Sequence, residues 1–169
     1  KRRENRLLYL SEMDLMTGIR NRGSGERKIK ETIAQNIPGM FVILDCDKFK
    51  SINDTYGHAV GDEVIIAVAK ALQGICGEKD ILLRLGGDEF AMYIPGMLDD
   101  VHGQQLADEV VGRMQDIRIP ELGGRVIHVS MGAAFHRKDD LDFERLYRQA
   151  DSAMYQSKKI VGSSIVFYK

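Results

Sequence analysis

In the stretch RLGGDEFAMYIPG, residues 84–96, two glycines precede two adjacent acids, Asp88 and Glu89, with apolar residues on either side. A second acidic pair, Asp45 and Asp47, closes the apolar run MFVILDCD. Side chains alternate across a strand, so Asp45 and Asp47 project to the same side at the strand's end. Strand pairing that brings them beside Asp88 and Glu89 concentrates negative charge, which is tolerable only when cations neutralise it. Magnesium suits such a site because it prefers oxygen ligands, keeps several waters and is completed by phosphates. A dedicated calcium loop needs more oxygen ligands than these positions offer. Either pair alone reads better as ordinary solvated turn acids; together they shift the balance toward a metal.

The segment FKSINDTYGHAVGDE follows the first acidic pair and supplies polar groups between a strand and a helix. Loop amides and a helix N-terminus there can hold phosphate, with Lys48 and Lys50 adding local positive charge. Asn53 fits an Asx turn or a reader of a base edge. Asp62 fits a helix-start acid or an acceptor for the ring N–H and amino group of guanine. His58 reads better as a structural hydrogen-bonding residue than as a base or metal ligand. Lys158, late on the last helix, is a solvated residue or a phosphate contact.

The elements that must position these groups follow from periodicity. Leu7, Leu10 and Met13 allow a first helix with one apolar face, either packing on the domain or continuing an upstream coiled coil. TGIRNRGSGE reads as loop, and Ile29, Ile33 and Ile37 then mark a helix stopped by Pro38-Gly39. MFVILDCD is a buried central strand. Val64, Ile65, Val68 and Leu72 mark a helix from Val60 to about Ile75, with Asp62 and Glu63 in its first turn. DILLRL and EFAMYIP form a hairpin through the intervening glycines. A helix through Leu106, Val110, Met114 and Ile117, a strand in RVIHVSMGAAF, a helix through Leu146, Tyr147, Ala150 and Met154, and a strand in SIVFY complete the chain. One directly joined pair of strands excludes a purely parallel sheet, so the fold is α+β, a mixed sheet flanked by helices.

The 169 residues, 44% hydrophobic and 29% charged, fit one domain. A net charge of −1 gives no sign of bulk attraction to nucleic acid or a membrane surface, so anions must be held locally. Two cysteines, Cys46 and Cys76, suit a reducing compartment rather than a disulfide framework. The apolar runs fall far short of the roughly 20 residues that span a bilayer. The lysine at position 1 and the lack of a signal-like start suggest a piece of a longer protein.

Four segments, DLMTGIRNR, DCDKFKSINDTYGHAVGD, RLGGDEF and ADSAMYQSK, occur in the order and approximate spacing of the GGDEF family, the diguanylate cyclases. The chain resembles that family from about Asp14 to Tyr168. The resemblance implies a nucleotide-cyclase, palm-like fold with a largely antiparallel central sheet of about five strands. It also implies condensation of two GTP into cyclic di-GMP, with release of two pyrophosphates. Residues 14–169 are then the GGDEF domain and 1–13 a linker or signalling helix. By position, Asp45, Asp88 and Glu89 match the catalytic and metal-binding acids, joined by the backbone carbonyl of Cys46, with Mg2+ as the ion and Mn2+ as a substitute. Asp88 is also implicated in deprotonating the ribose 3′-hydroxyl. Asn53 and Asp62 match the guanine readers, Lys48, Phe49 and Lys50 the phosphate cradle, and Lys158 a phosphate-binding lysine. His58 lies within the same motif, and Gly86 and Gly87 let backbone and nucleotide approach closely.

The resemblance implies one GTP per domain, hence a homodimer, with an upstream sensory or regulatory module and a cytoplasmic location, including that of the cytoplasmic part of a membrane-anchored protein. Two departures stand out. Val161, Gly162 and Ser163 replace the family's Gly-Arg-Asn, removing a phosphate-binding arginine. GEKD, Gly77 to Asp80, replaces the Arg-x-x-Asp of the inhibitory product site, which leaves Asp80 without its arginine. The rival reading is an inactive GTP-binding or protein-interaction module. A third, a cyclase with altered nucleotide choice, sits poorly with Asp62.

Overall fold

The computed structural model describes residues 2–137 and 142–169. Five strands form one mixed sheet in the order β2-β3-β1-β4-β5. They are β1 (Gly39–Cys46), β2 (Ile81–Gly86), β3 (Glu89–Pro95), β4 (Val129–His136) and β5 (Ser164–Phe167). β1 lies at the centre and pairs antiparallel with β3 and β4, and β2 pairs antiparallel with β3. The β4–β5 pair is parallel, joined by the crossover helix α6 (Phe143–Ser157). The fold is thus α+β, as the pattern of elements implies.

β1 is buried along its whole length, and its two faces feed two cores. Met40, Val42, Leu44 and Cys46 pack with residues of α3 (Phe49–Tyr56), α4 (His58–Ile75) and α5 (Asp100–Gln115). Phe41 and Ile43 pack on the opposite face with α2 (Arg22–Ala34) and α6, through Ile29, Phe143, Leu146 and Ala150. Gly132 on β4 lets α6 lie close to the sheet, because a Cβ there would sit 2.1 Å from the Met154 backbone nitrogen. Any larger residue at Gly132 therefore displaces α6, which carries Lys158 at its C-terminal end.

The sequence reading needs three local corrections. α2 begins inside the glycine-rich stretch read as loop and ends before Ile37. Asn21 caps it by accepting a hydrogen bond from the Ser24 amide, and Gly25 permits contact with Leu83, which a Cβ would approach to 2.4 Å. Glycine here serves helix packing rather than flexibility. The polar stretch after β1 forms the eight-residue helix α3, in which Ile52 is buried and Phe49 and Tyr56, on the same face, pack partly buried against the same core. Because α4 begins at His58, Asp62 and Glu63 lie beyond its first turn and have no capping role. The segment 1–13 contains α1 (Arg2–Glu12), with Lys1 outside the described residues; α1 has no buried residue.

Candidate active site

Strand register brings the two acidic segments together. Asp45 pairs directly with Glu89 across β1 and β3, so their side chains share a face and their Cβ atoms are about 4.5–5.5 Å apart. Alternation places Asp45 on the α2–α6 face, following Phe41 and Ile43. Asp88 occupies the turn just before Glu89. Gly86 (φ +148°) and Gly87 (φ +50°) adopt backbone angles that disfavour a side chain, and the space where a Cβ would stand is open at both. The turn is fixed from behind: Arg84 donates from Nε and Nη2 to the Gly87 carbonyl at 3.0 and 2.7 Å, and from Nη1 to Asp14 Oδ2 at 3.2 Å.

The electrostatics are unbalanced. Asp45 is 7% exposed, and its Oδ1 is buried with no hydrogen-bond partner among the described residues. Burial pushes its carboxyl up to about 6; the hydrogen bond and charge of Lys158 oppose that rise, while Asp88 and Asp47 add to it. Glu89 is raised by burial and by Asp88 and Asp151. The Lys158 ammonium lies 2.5 Å from Asp45 Oδ2 as a partial counter-ion. Asp47 is accounted for differently, since its Oδ1 accepts a hydrogen bond from the Ser130 hydroxyl at 2.6 Å.

An orphaned buried carboxylate oxygen opposite a second carboxylate fits a small hard cation with oxygen ligands. Among the described residues no three His, Cys, Asp or Glu side chains form a metal cluster by themselves. The structure brings Asp45 and Glu89 together, with Asp88 in the adjoining turn and Cys46, whose carbonyl the family resemblance implies as a ligand, closing β1.

The remaining candidates lie in the β1–α3 turn, on α3 and α4, and in the turn before β2. Lys48 takes a left-handed conformation (φ +56°) between β1 and α3, and α3 has no side-chain cap. Asn21, Asp99 and Asp142, by contrast, cap α2, α5 and α6 through their side chains. The first amides of α3, including those of Phe49 and Lys50, thus remain unspent on a cap. Asn53 leans on Gly61, where a Cβ would sit 1.8 Å from Asn53 Oδ1, so α3 and α4 bring it beside the residue preceding Asp62. Asp62 and His58 are exposed on α4. At the far end of β2, Asp80 Oδ2 accepts a hydrogen bond from the Gly77 amide at 2.7 Å, closing its own turn. The residue that sequence reasoning missed is Arg84. Its signal was its position at the head of the RLGGDEF hairpin.

The five-stranded mixed sheet flanked by helices is the palm-like α+β fold of GGDEF domains. The chain matches the family described as "Diguanylate cyclase, GGDEF domain" over residues 11–163, and it belongs to that family. It is 32% identical over 160 residues to the probable diguanylate cyclase DgcC of Escherichia coli (strain K12), covering 92% of this chain and 43% of DgcC. The GGDEF domain of TpbB from Pseudomonas aeruginosa superposes with a TM-score of 0.83 at 29% identity, over 93% of this chain and 94% of that one. The coiled coil and GGDEF domain of DgcB from Caulobacter crescentus, in complex with c-di-GMP, gives a TM-score of 0.83 at 27% identity, over 98% and 90%. The chain spans between 26% and 43% of the length of the first curated relatives it matches. No described helix is long and apolar enough to cross a membrane.

Proposed function

We propose that this domain, residues 14–169, is a diguanylate cyclase that joins two GTP molecules into cyclic di-GMP and releases two pyrophosphates. The observation that carries the reading is the Asp45–Glu89 pair, held directly opposite one another with one buried oxygen unsatisfied. Asp45, Glu89 and the Cys46 carbonyl would hold Mg2+ or Mn2+, with Asp88 beside them. When bound, that ion supplies charge compensation at the α-phosphate and the departing pyrophosphate.

The chain's own groups supply the rest. Asn53 and Asp62 orient guanine, the carboxylate accepting from its ring N–H and amino group. The free amides at the start of α3 and the ammonium of Lys158 bind phosphate oxygens. The ribose 3′-oxygen of one GTP attacks the α-phosphorus of the other, the bond to the α,β-bridging oxygen breaks, and Asp88 is placed to receive the hydroxyl proton. Two such events close the ring. With one GTP per domain, two domains must face each other, so a homodimer is the working form, with α1 leading from an upstream module. The absence of an arginine at Gly162 favours a second reading, a GTP-binding module without turnover.

Incubation with GTP and Mg2+ separates the two readings, with product identified by mass. The cyclase reading predicts cyclic di-GMP and a specific activity that rises with enzyme concentration. Bound GTP without product, at concentrations where scattering shows dimer, supports the inactive module.

A further inference from the structure

Beside the acid pair lies a cleft of about 800 Å³ whose wall carries Lys48, Arg125, Lys158, Lys159 and His128. Its one acidic wall residue, Asp47, already accepts a hydrogen bond from Ser130. Lys158 is shared with Asp45. Arg125 has no carboxylate partner among the described residues; its guanidinium lies 6.0 Å from the centre of the Tyr56 ring on α3. Its backbone is set by a tight turn, Gly123 (φ +58°) and Gly124 (φ +91°) preceding it and its amide donating to the Leu122 carbonyl at 3.1 Å. Lys158 is ion-paired with Asp45 and Lys159 lies 4.9 Å from the centre of the Tyr155 ring, but four cationic side chains on one cleft wall make it attractive to an anion of several charges.

We propose that Arg125 is a polyphosphate-binding residue, gripping the β- and γ-phosphates of the nucleotide whose α-phosphate lies at the acid pair. The inference rests on reading the site as a GTP site. The cleft continues from Lys158, which touches Asp45, to Gly162, where a Cβ would meet nothing within 4 Å. A guanidinium offers a planar fork of donors that two phosphate oxygens can accept at once, which the neighbouring lysines cannot reproduce. The Tyr56 ring, 6.0 Å from the guanidinium, lies within cation–π range and orients it.

The test compares R125A and R125K with the unaltered protein in calorimetric titrations of three probes: inorganic tripolyphosphate, the inert α,β-methylene analogue of GTP with Mg2+, and GMP. R125A is expected to weaken the first two by about 10- to 100-fold, the loss of a charged hydrogen bond to phosphate. GMP, which has no β- or γ-phosphate, should bind unchanged, and R125K should recover only part of the loss. Equal weakening of GMP would overturn the proposal by showing that Arg125 acts through packing on Tyr56. Unaltered binding of tripolyphosphate and the GTP analogue by R125A, or failure of the unaltered protein to bind tripolyphosphate, would overturn it too. If the unaltered protein binds tripolyphosphate through Arg125 but ignores the GTP analogue, the anion site stands and the GTP reading falls.

Discussion

Strand β2 has a carboxylate-bearing turn at each end, and the two turns dispose of their charge in opposite ways. Before the strand, Asp80 accepts a hydrogen bond from the Gly77 amide and its charge is spent on the turn itself. After the strand, the acids gain nothing from their own turn. The Gly87 carbonyl is held by Arg84, while Glu89 faces Asp45 across the sheet and Asp45 keeps a buried oxygen unsatisfied. Like charges directly opposite in a sheet destabilise it. One end of β2 thus spends its charge on its own turn, and the other keeps an excess of negative charge that Lys158 offsets only in part.

The sharpest way to break this comparison is Glu89→Gln. The account expects product formation to fall by about 1,000-fold or more, since a ligand to the charge-compensating ion is lost. It also expects the metal-free protein to keep its stability or gain roughly 0.2–1 kcal/mol as repulsion with Asp45 disappears. Retained turnover, or a marked drop in thermal midpoint without metal, would show that Glu89 serves the fold. A smaller effect is expected from Asp62→Ser, which removes the acceptor for guanine's N–H donors. Discrimination for GTP over ATP in competition assays should weaken by about 1–3 kcal/mol.

These opposite roles were only partly legible in the sequence. The alternation of MFVILDCD and the glycines of RLGGDEF foretold a buried strand and a hairpin whose acids meet. Nothing local distinguishes Asp47, which bonds Ser130 from 83 residues away, from Asp45, which is left unsatisfied. The sheet sets Ser130 directly opposite Asp45, yet its hydroxyl reaches diagonally to Asp47, a choice made by tertiary packing that no local signal carries. α3 escaped notice because its apolar positions, Phe49, Ile52 and Tyr56, span only two turns among polar residues. Gly25 read as a loop residue because its contact with Leu83 is tertiary. Arg84 and Asp14 lie 70 residues apart, so their pairing behind the Gly86–Gly87 turn was equally hidden.

That Asp14–Arg84 contact offers a third test, on stability. Burial raises the Asp14 carboxyl, but hydrogen bonds from the Thr17 side chain and amide and the nearby Arg84 bring it below its ordinary value of 3.8. A depressed carboxylate contributes stability that is present above its unfolded value and lost as pH falls through the folded one. Asp14→Asn should thus destabilise by about 1–2 kcal/mol at pH 7, with the difference from the unaltered protein shrinking below pH 4 in denaturant titrations. A gap that persists at pH 2 would assign the effect to packing.

The smallest effect is expected at the satisfied end. Asp80→Ala should lower stability by about 0.5–1.5 kcal/mol, one turn hydrogen bond, read as a denaturant midpoint. Cyclic di-GMP should give the unaltered protein little protection, because Asp80 is already occupied and Gly77 offers no guanidinium. Strong product binding lost on Asp80→Ala would reverse that assignment.

The central claim is that the charge left unbalanced at the Asp45–Glu89 end awaits a cation and its nucleotide. Thermal unfolding of the unaltered protein and of Glu89→Gln, each with and without Mg2+ and the inert α,β-methylene analogue of GTP, tests it most directly. The account predicts a large upward shift of the unaltered protein only when metal and nucleotide are both present, and little or no shift for Glu89→Gln. Equal protection of the two proteins, or full protection by the nucleotide without metal, would contradict it.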